Sequence, residues 1–151
     1  MDLRTLEKYL HDHIPLSQAM GVEVVEASVN EVTLSAPLAP NINHRETVFG
    51  GSASAVAILA AWALLYTRLE QEGISSRVVI QRNTMDYVRP IVGKFTATSE
   101  IHDPVKWEKF LKVLKRKSRA RISVGATLYY NGEKVGVLEG DFVALGAQTT
   151  E

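Results

Sequence analysis

From Thr47 to Thr67 the chain carries no charged side chain, and from Ala53 to Tyr66 it is almost wholly apolar. A helix on a protein surface keeps one polar face for water, and this stretch has none to offer. Its apolar part falls short of the roughly 20 residues that a membrane span needs. The rest of the chain must therefore enclose it, and most of the rest reads as strands. The enclosed helix opens at Gly50-Gly51-Ser52. It thus starts with backbone N–H groups that no earlier turn can satisfy and with the positive end of its dipole. Such a point can receive a carbonyl or an anion.

A chain of 151 residues is long enough for one domain with a real core. Its 46% hydrophobic and 23% charged composition suits an ordinary soluble domain. Cysteine is absent, which excludes disulfides, thiolate metal sites and a cysteine nucleophile. The N-terminal residues Met1-Asp2-Leu3-Arg4-Thr5-Leu6-Glu7 lack an apolar signal core, so a cytoplasmic location is expected. Net charge is zero but unevenly spread. Between Pro104 and Arg121 stand Lys106, Lys109, Lys112, Lys115, Arg116, Lys117, Arg119 and Arg121 against Glu108 alone. Such a segment is either a phosphate-binding surface or a solvated helix face.

Periodicity orders the elements. Leu3, Leu6, Leu10 and Ile14 recur at helical spacing, predicting a helix over 2–13 that ends before Pro15. Val22–Ser28 and Val32–Pro37 read as two strands joined near Asn30-Glu31. The central helix should run to about Gln71, with Gly73 stopping it. Arg77–Val88 is strand-rich, and Gln81 and Asn83 would share one face with Val79, Met85 and Tyr87. From Lys94 to Ile101, Phe95, Ala97, Ser99 and Ile101 alternate with polar residues. Asp103-Pro104 opens a second helix with the apolar stripe Trp107, Phe110, Leu111 and Leu114. A long alternating strand, Ala120–Tyr130, then meets the hairpin signal Asn131-Gly132 and a partner over about 134–145. The fold class is α+β: six antiparallel strands curled round one long buried helix, in a single domain over 1–151. Such a sheet leaves an edge, which a dimer or a dimer of dimers would cover.

This arrangement resembles the hotdog fold. Asn43-His44-Arg45-Glu46-Thr47-Val48-Phe49-Gly50-Gly51-Ser52 is similar to the Asn-x5-His-Gly-Gly segment of hotdog thioesterases of the phenylacetate-pathway type. Tyr87-Val88-Arg89-Pro90 is similar to their Tyr-x-x-Pro turn. A closer resemblance, to the thioesterase-like YiiD C-terminal-domain family, covers nearly the whole chain. Ile14-Pro15-Leu16-Ser17, Met20-Gly21, Pro37-Leu38, Pro40-Asn41, Asn43, Thr47, Phe49–Ser52 and Trp62 carry it.

The resemblance implies hydrolysis of acyl thioesters of coenzyme A or acyl carrier protein. The N–H groups of Gly50, Gly51 and Ser52 would receive the thioester oxygen, unless the paired glycines only let the helix pass close to a neighbour. Asn43 matches the asparagine that positions substrate or water, or else it bonds its own loop. The helix carboxylate of the phenylacetate-type enzymes falls at Ile58, which cannot take a proton, and Phe49 replaces their histidine before the glycines. His44 or Glu46 could stand in as base, or both are exposed loop side chains. Ser52 and Ser54 read as donors or caps, since no histidine adjoins them. Arg116, Arg119 and Arg121 could meet the phosphates of the carrier. Little aromatic interleaving and zero net charge argue against nucleic acid, no membrane partner is expected, and the chemistry needs no metal or cofactor. Two rivals stand beside hydrolysis. One is a non-catalytic acyl-binding module, and the other is a hydroxyacyl-thioester dehydratase, which needs a histidine and an acid that the helix lacks.

Overall fold

The computed structural model describes residues 1–149. Two helices come first, α1 (Leu3–His13) and α2 (Pro15–Ala19), then strands β1 (Glu23–Ala27) and β2 (Glu31–Ala36). The central helix α3 (Gly50–Gln71) follows a short 3-10 turn at Ala39–Asn41. β3 (Ile74–Tyr87) and β4 (Phe95–Glu100) precede α4 (Pro104–Lys117), and β5 (Arg119–Tyr130) and β6 (Glu133–Thr149) end the described chain. The strands form one antiparallel sheet in the order β1-β2-β4-β5-β6-β3. Its concave side holds α3, as the uncharged stretch requires.

Local chemistry accounts for most boundaries. Asp2 caps α1 by accepting from the Thr5 N–H at 2.8 Å, and Asp103 caps α4 by accepting from Val105 at 3.0 Å. Pro15 ends α1 but also seeds α2, because its fixed φ suits a first helical position. Gly73 (φ 70°) turns the chain out of α3. Asn131 and Gly132, at φ 51° and 75°, make the primed turn that fits the twist of β5 and β6. Phe95, Ala97, Ser99 and Ile101 all point inward as their alternation predicts.

The helix is 22 residues long and apolar enough to cross a membrane by length and composition, contrary to the expectation that it falls short. Ten of its residues are buried against the sheet, which identifies it as a core element. The enclosure is incomplete: Ser52, Ala55, Ile58, Trp62 and Tyr66 form a half-buried stripe along one side of the helix.

The two sheet edges differ. At β1, Val24 N–H donates to Glu7 Oε1 and the His11 ring donates from Nε2 to Val22 O, each at 2.8 Å. Glu7 and His11 are one turn apart on α1, so the helix satisfies the edge strand with side chains. β3 pairs only with β6 among the described residues and leaves Val79 and Tyr87 exposed. Its register shifts between Ile80 and Arg82. The bulge at Gln81 breaks the face expected to join Val79, Gln81, Asn83, Met85 and Tyr87. Ile80 pairs with core-facing Phe142, whereas Asn83, Met85 and Tyr87 occupy the inward register after the extra residue.

Candidate functional site

The start of α3 is held from three sides. Phe49 N–H donates to Asn41 O at 2.7 Å, Val48 N–H to Ile91 O at 2.8 Å, and Tyr87 Oη to Gly50 O at 3.1 Å. The buried Asn41 is the hub, since its Nδ2 also donates to Met20 O and Pro37 O, both at 2.8 Å. The cap residue Phe49 offers no side-chain acceptor, and the helix's own bonding begins with Ala53 N–H to Phe49 O. The amides of Gly50, Gly51 and Ser52 therefore have no acceptor among the described residues. Three donors and a helix dipole converge there without a partner. Gly51 also makes room for a neighbour: a Cβ on it would run into the Phe49 ring.

Ahead of the helix, residues 42–48 form a small hairpin closed by an Ile42–Val48 bridge. Asn43 organises it. Its Nδ2 donates to Thr47 Oγ1 at 2.8 Å, and its Oδ1 accepts from the N–H of Arg45 at 2.8 Å and of Thr47 at 3.1 Å. Both ends of this amide are thus engaged within the loop. His44 and Glu46 are exposed, and Glu46 takes a left-handed φ of 64° at the hairpin tip. Neither makes a side-chain hydrogen bond or ion pair among the described residues.

An apolar cavity of about 260 Å³ lies along α3. Ala55, Ile58, Leu59 and Trp62 form its wall, with Ile80 and Phe142 on the sheet side. Ile14, Leu16 and Met20 of the α1–α2 segment roof it. Ser52 stands about one turn before Ala55, so the cavity begins about one turn after the unpartnered amides. Ile58, where the resemblance expected a carboxylate, lines this cavity, and among the described residues no titratable side chain does. Beyond Trp62 the rings stack. Tyr66 lies 5.2 Å from Trp62, Tyr9 lies 4.4 Å from Tyr66, and His13 lies 4.0 Å from Tyr9. Burial, and then hydrogen bonding with Tyr9, raise the Tyr66 phenol above its ordinary pKa, so it stays neutral.

The arginines singled out in the sequence lie elsewhere. α4 packs beside the C-terminal end of α3, where the Arg68 guanidinium sits 4.4 Å over the Trp107 ring and Trp107 Nε1 donates to Glu72 at 3.3 Å. Burial lowers the Arg68 pKa, partly offset by Glu72. Arg116, Arg119 and Arg121 are exposed near this pole. Arg121 pairs through Val143 with Val79, next to Val78, whose carbonyl accepts from Trp62. That level is 12 residues, or about 18 Å, along α3 from Gly50. Within one chain these arginines and the helix start are therefore well separated. A second depression, of about 590 Å³, lies on the outer sheet face among Arg82, Glu100, Lys106, Glu139 and Asp141. It has mixed charge and no access to the helix start, so the smaller apolar cavity is the better candidate site.

A long apolar helix inside a six-stranded antiparallel sheet defines a hotdog-fold protein. The chain belongs to the YiiD_C family, "Putative thioesterase (yiiD_Cterm)", whose model matches residues 3–146. It is similar to a protein of unknown function from Chlorobaculum tepidum TLS, at 30% identity and TM-score 0.90, over 95% of this chain and 93% of that one. The putative thioesterase from Shewanella oneidensis matches at 24% identity and TM-score 0.85, over 95% and 96%. A thioesterase from Haemophilus influenzae shares the fold at 15% identity and TM-score 0.75, over 97% and 92%. Sequence reasoning singled out the helix start, but it missed the bracing roles of Asn41 and Tyr87 and the ring column.

Proposed function

We propose that this chain hydrolyses acyl thioesters of coenzyme A or acyl carrier protein. The acyl group lies in the apolar cavity along α3, and the amides of Gly50, Gly51 and Ser52 receive the thioester oxygen. One observation carries the reading: the helix start, whose first amides have no acceptor among the described residues, lies about one turn before the apolar cavity lined by Ala55, Ile58 and Trp62. When water adds to the carbonyl carbon, negative charge collects on that oxygen. Fixed N–H groups stabilise it there more than in the ground state. The base, His44 or Glu46 on the adjoining hairpin, takes the water's proton and returns it to the departing thiolate. The products are a carboxylic acid and a free thiol. Asn43 serves by holding the hairpin in shape, and the chemistry calls for no metal or cofactor.

The bare β3 edge supports a homodimer or a dimer of dimers, because the opposite edge is already satisfied by Glu7 and His11. Arg116, Arg119 and Arg121 would then meet the phosphates or acidic surface of the carrier from a second protomer. This reading expects no nucleic-acid or membrane partner and a cytoplasmic setting. A second reading, an acyl-binding module without turnover, is favoured by one observation: among the described residues no titratable group lines the cavity. Thiol release from a panel of acyl-coenzyme A esters separates the two, with His44→Ala and Glu46→Ala beside the wild type. Saturable release that collapses in one variant supports hydrolysis and names the base. Tight binding without release supports the module. Dehydration of hydroxyacyl thioesters ranks last, since the cavity supplies neither its histidine nor its acid.

A further inference from the structure

Trp62 stands at the far end of the cavity from the helix start. Its indole N–H donates to Val78 O at 2.9 Å, so the ring is tied to β3. It stacks on Tyr66 at an interplanar angle of 6°, and Tyr66 stacks on Tyr9 at 14°. To swing aside, Trp62 would have to give up its hydrogen bond and its place in a column of rings drawn from two helices. It is a braced wall rather than a movable gate.

We infer that Trp62 sets the maximum acyl length, limiting the site to medium chains of on the order of ten carbons. The inference rests on the proposed acyl-thioester reading and deepens it. Two measures converge on that length. An apolar cavity of about 150 Å³ holds a six-carbon benzene ring, so 260 Å³ holds about ten carbons. Along the axis, Gly51 to Trp62 is 11 residues, or about 16 Å. An extended chain advances about 1.2 Å per bond, and the room taken by the carbonyl and the ring leaves about ten bonds. Every side chain that lines the cavity is apolar, so each methylene that fits adds to binding until the ring is met.

The test is calorimetric binding of saturated fatty acids from four to sixteen carbons, run beside thiol release from the matching coenzyme A esters. Wild type should gain about fourfold in affinity per methylene up to about ten carbons, then stop gaining or fall. Trp62→Ala should move this break to longer chains by several carbons, with Trp62→Phe between it and wild type. Ile58→Trp, one turn nearer the helix start, should move it to shorter chains. Opposite shifts from two positions are not what loosened packing produces. Should Trp62→Ala not fold, Trp62→Phe and Ile58→Trp still carry the test. A break that stays put in folded variants, or no break in wild type, overturns the inference. No thiol release with a break that moves as described overturns hydrolysis alone.

Discussion

At its C-terminal end α3 is closed by packed side chains, whereas at its N-terminal end its backbone is left bare. Around Arg68 and Glu72, Trp107 contributes ring area, a hydrogen bond and a cation contact, and the N–H groups of Glu72 and Gly73 donate to the Arg68 and Glu70 carbonyls of the last turn. Around Gly50, among the described residues, no side chain caps the helix and three amides lack acceptors, and an apolar cavity of about 260 Å³ adjoins. Unpaired donors and unfilled apolar space each cost stability. The contrast teaches that one pole holds the fold together while the other leaves backbone donors close to apolar space, which is where the proposed substrate would sit.

The sharpest way to break this contrast is to weaken the closed pole. Trp107→Ala removes a buried ring and its cation partner, and should cost about 3–5 kcal/mol. At about 2–4 °C per kcal/mol for a chain of this size, calorimetry should record a large fall in Tm. Thiol release per folded molecule should barely change.

The open pole should behave in the opposite way. Gly50→Pro removes one amide from the first position of α3, where proline is well tolerated. Phe49 already has φ −57° and ψ 133°, the extended conformation that a residue before proline adopts. Melting temperature should hold while thiol release falls about 10²-fold, equivalent to about 2.7 kcal/mol. A fall in Tm without loss of release would reverse the roles given to the two ends.

A smaller effect is expected at the hairpin. Asn43→Ala strips three hydrogen bonds from an exposed loop and should cost about 1 kcal/mol, read by urea unfolding. Asn43→Asp keeps the two accepted bonds and should recover most of the loss in both stability and release. Failure of Asn43→Asp to restore release despite restored stability would show that the amide itself meets the substrate.

Least disturbing to the fold should be the triple change Arg116→Ala, Arg119→Ala and Arg121→Ala. These are exposed cations, so stability should stay within about 0.5 kcal/mol. KM for acyl carrier protein substrates should rise and lose its salt dependence while kcat holds. An unchanged KM would make this pole structural only.

Most of the architecture was legible because it follows from local patterns. The uncharged run marked α3, Asp103-Pro104 marked α4, and Asn131-Gly132 marked the last hairpin. The donors at Gly50–Ser52 could be read for the same reason, since a helix start always leaves them. What was not legible depends on contacts between distant residues. The bulge at Gln81 is set by the pairing of β3 with β6, and no alternation within β3 announces it. The edge bonds of Glu7 and His11 span 17 and 11 residues. The column joining Tyr9, Tyr66 and Trp62 exists only once α1 lies beside α3. Pro15 was read as a stop, and its second role as the first residue of α2 depends on where the chain turns next.

The central claim is that the bare start of α3 turns over an acyl thioester whose chain lies in the adjoining apolar cavity. Its most direct test is single-turnover thiol release from decanoyl-coenzyme A by wild type and by Gly50→Pro at matched occupancy. The account predicts release by wild type and a rate about 10²-fold lower in the variant. Equal rates in the two proteins, or binding of the ester by both with no thiol released, would contradict it.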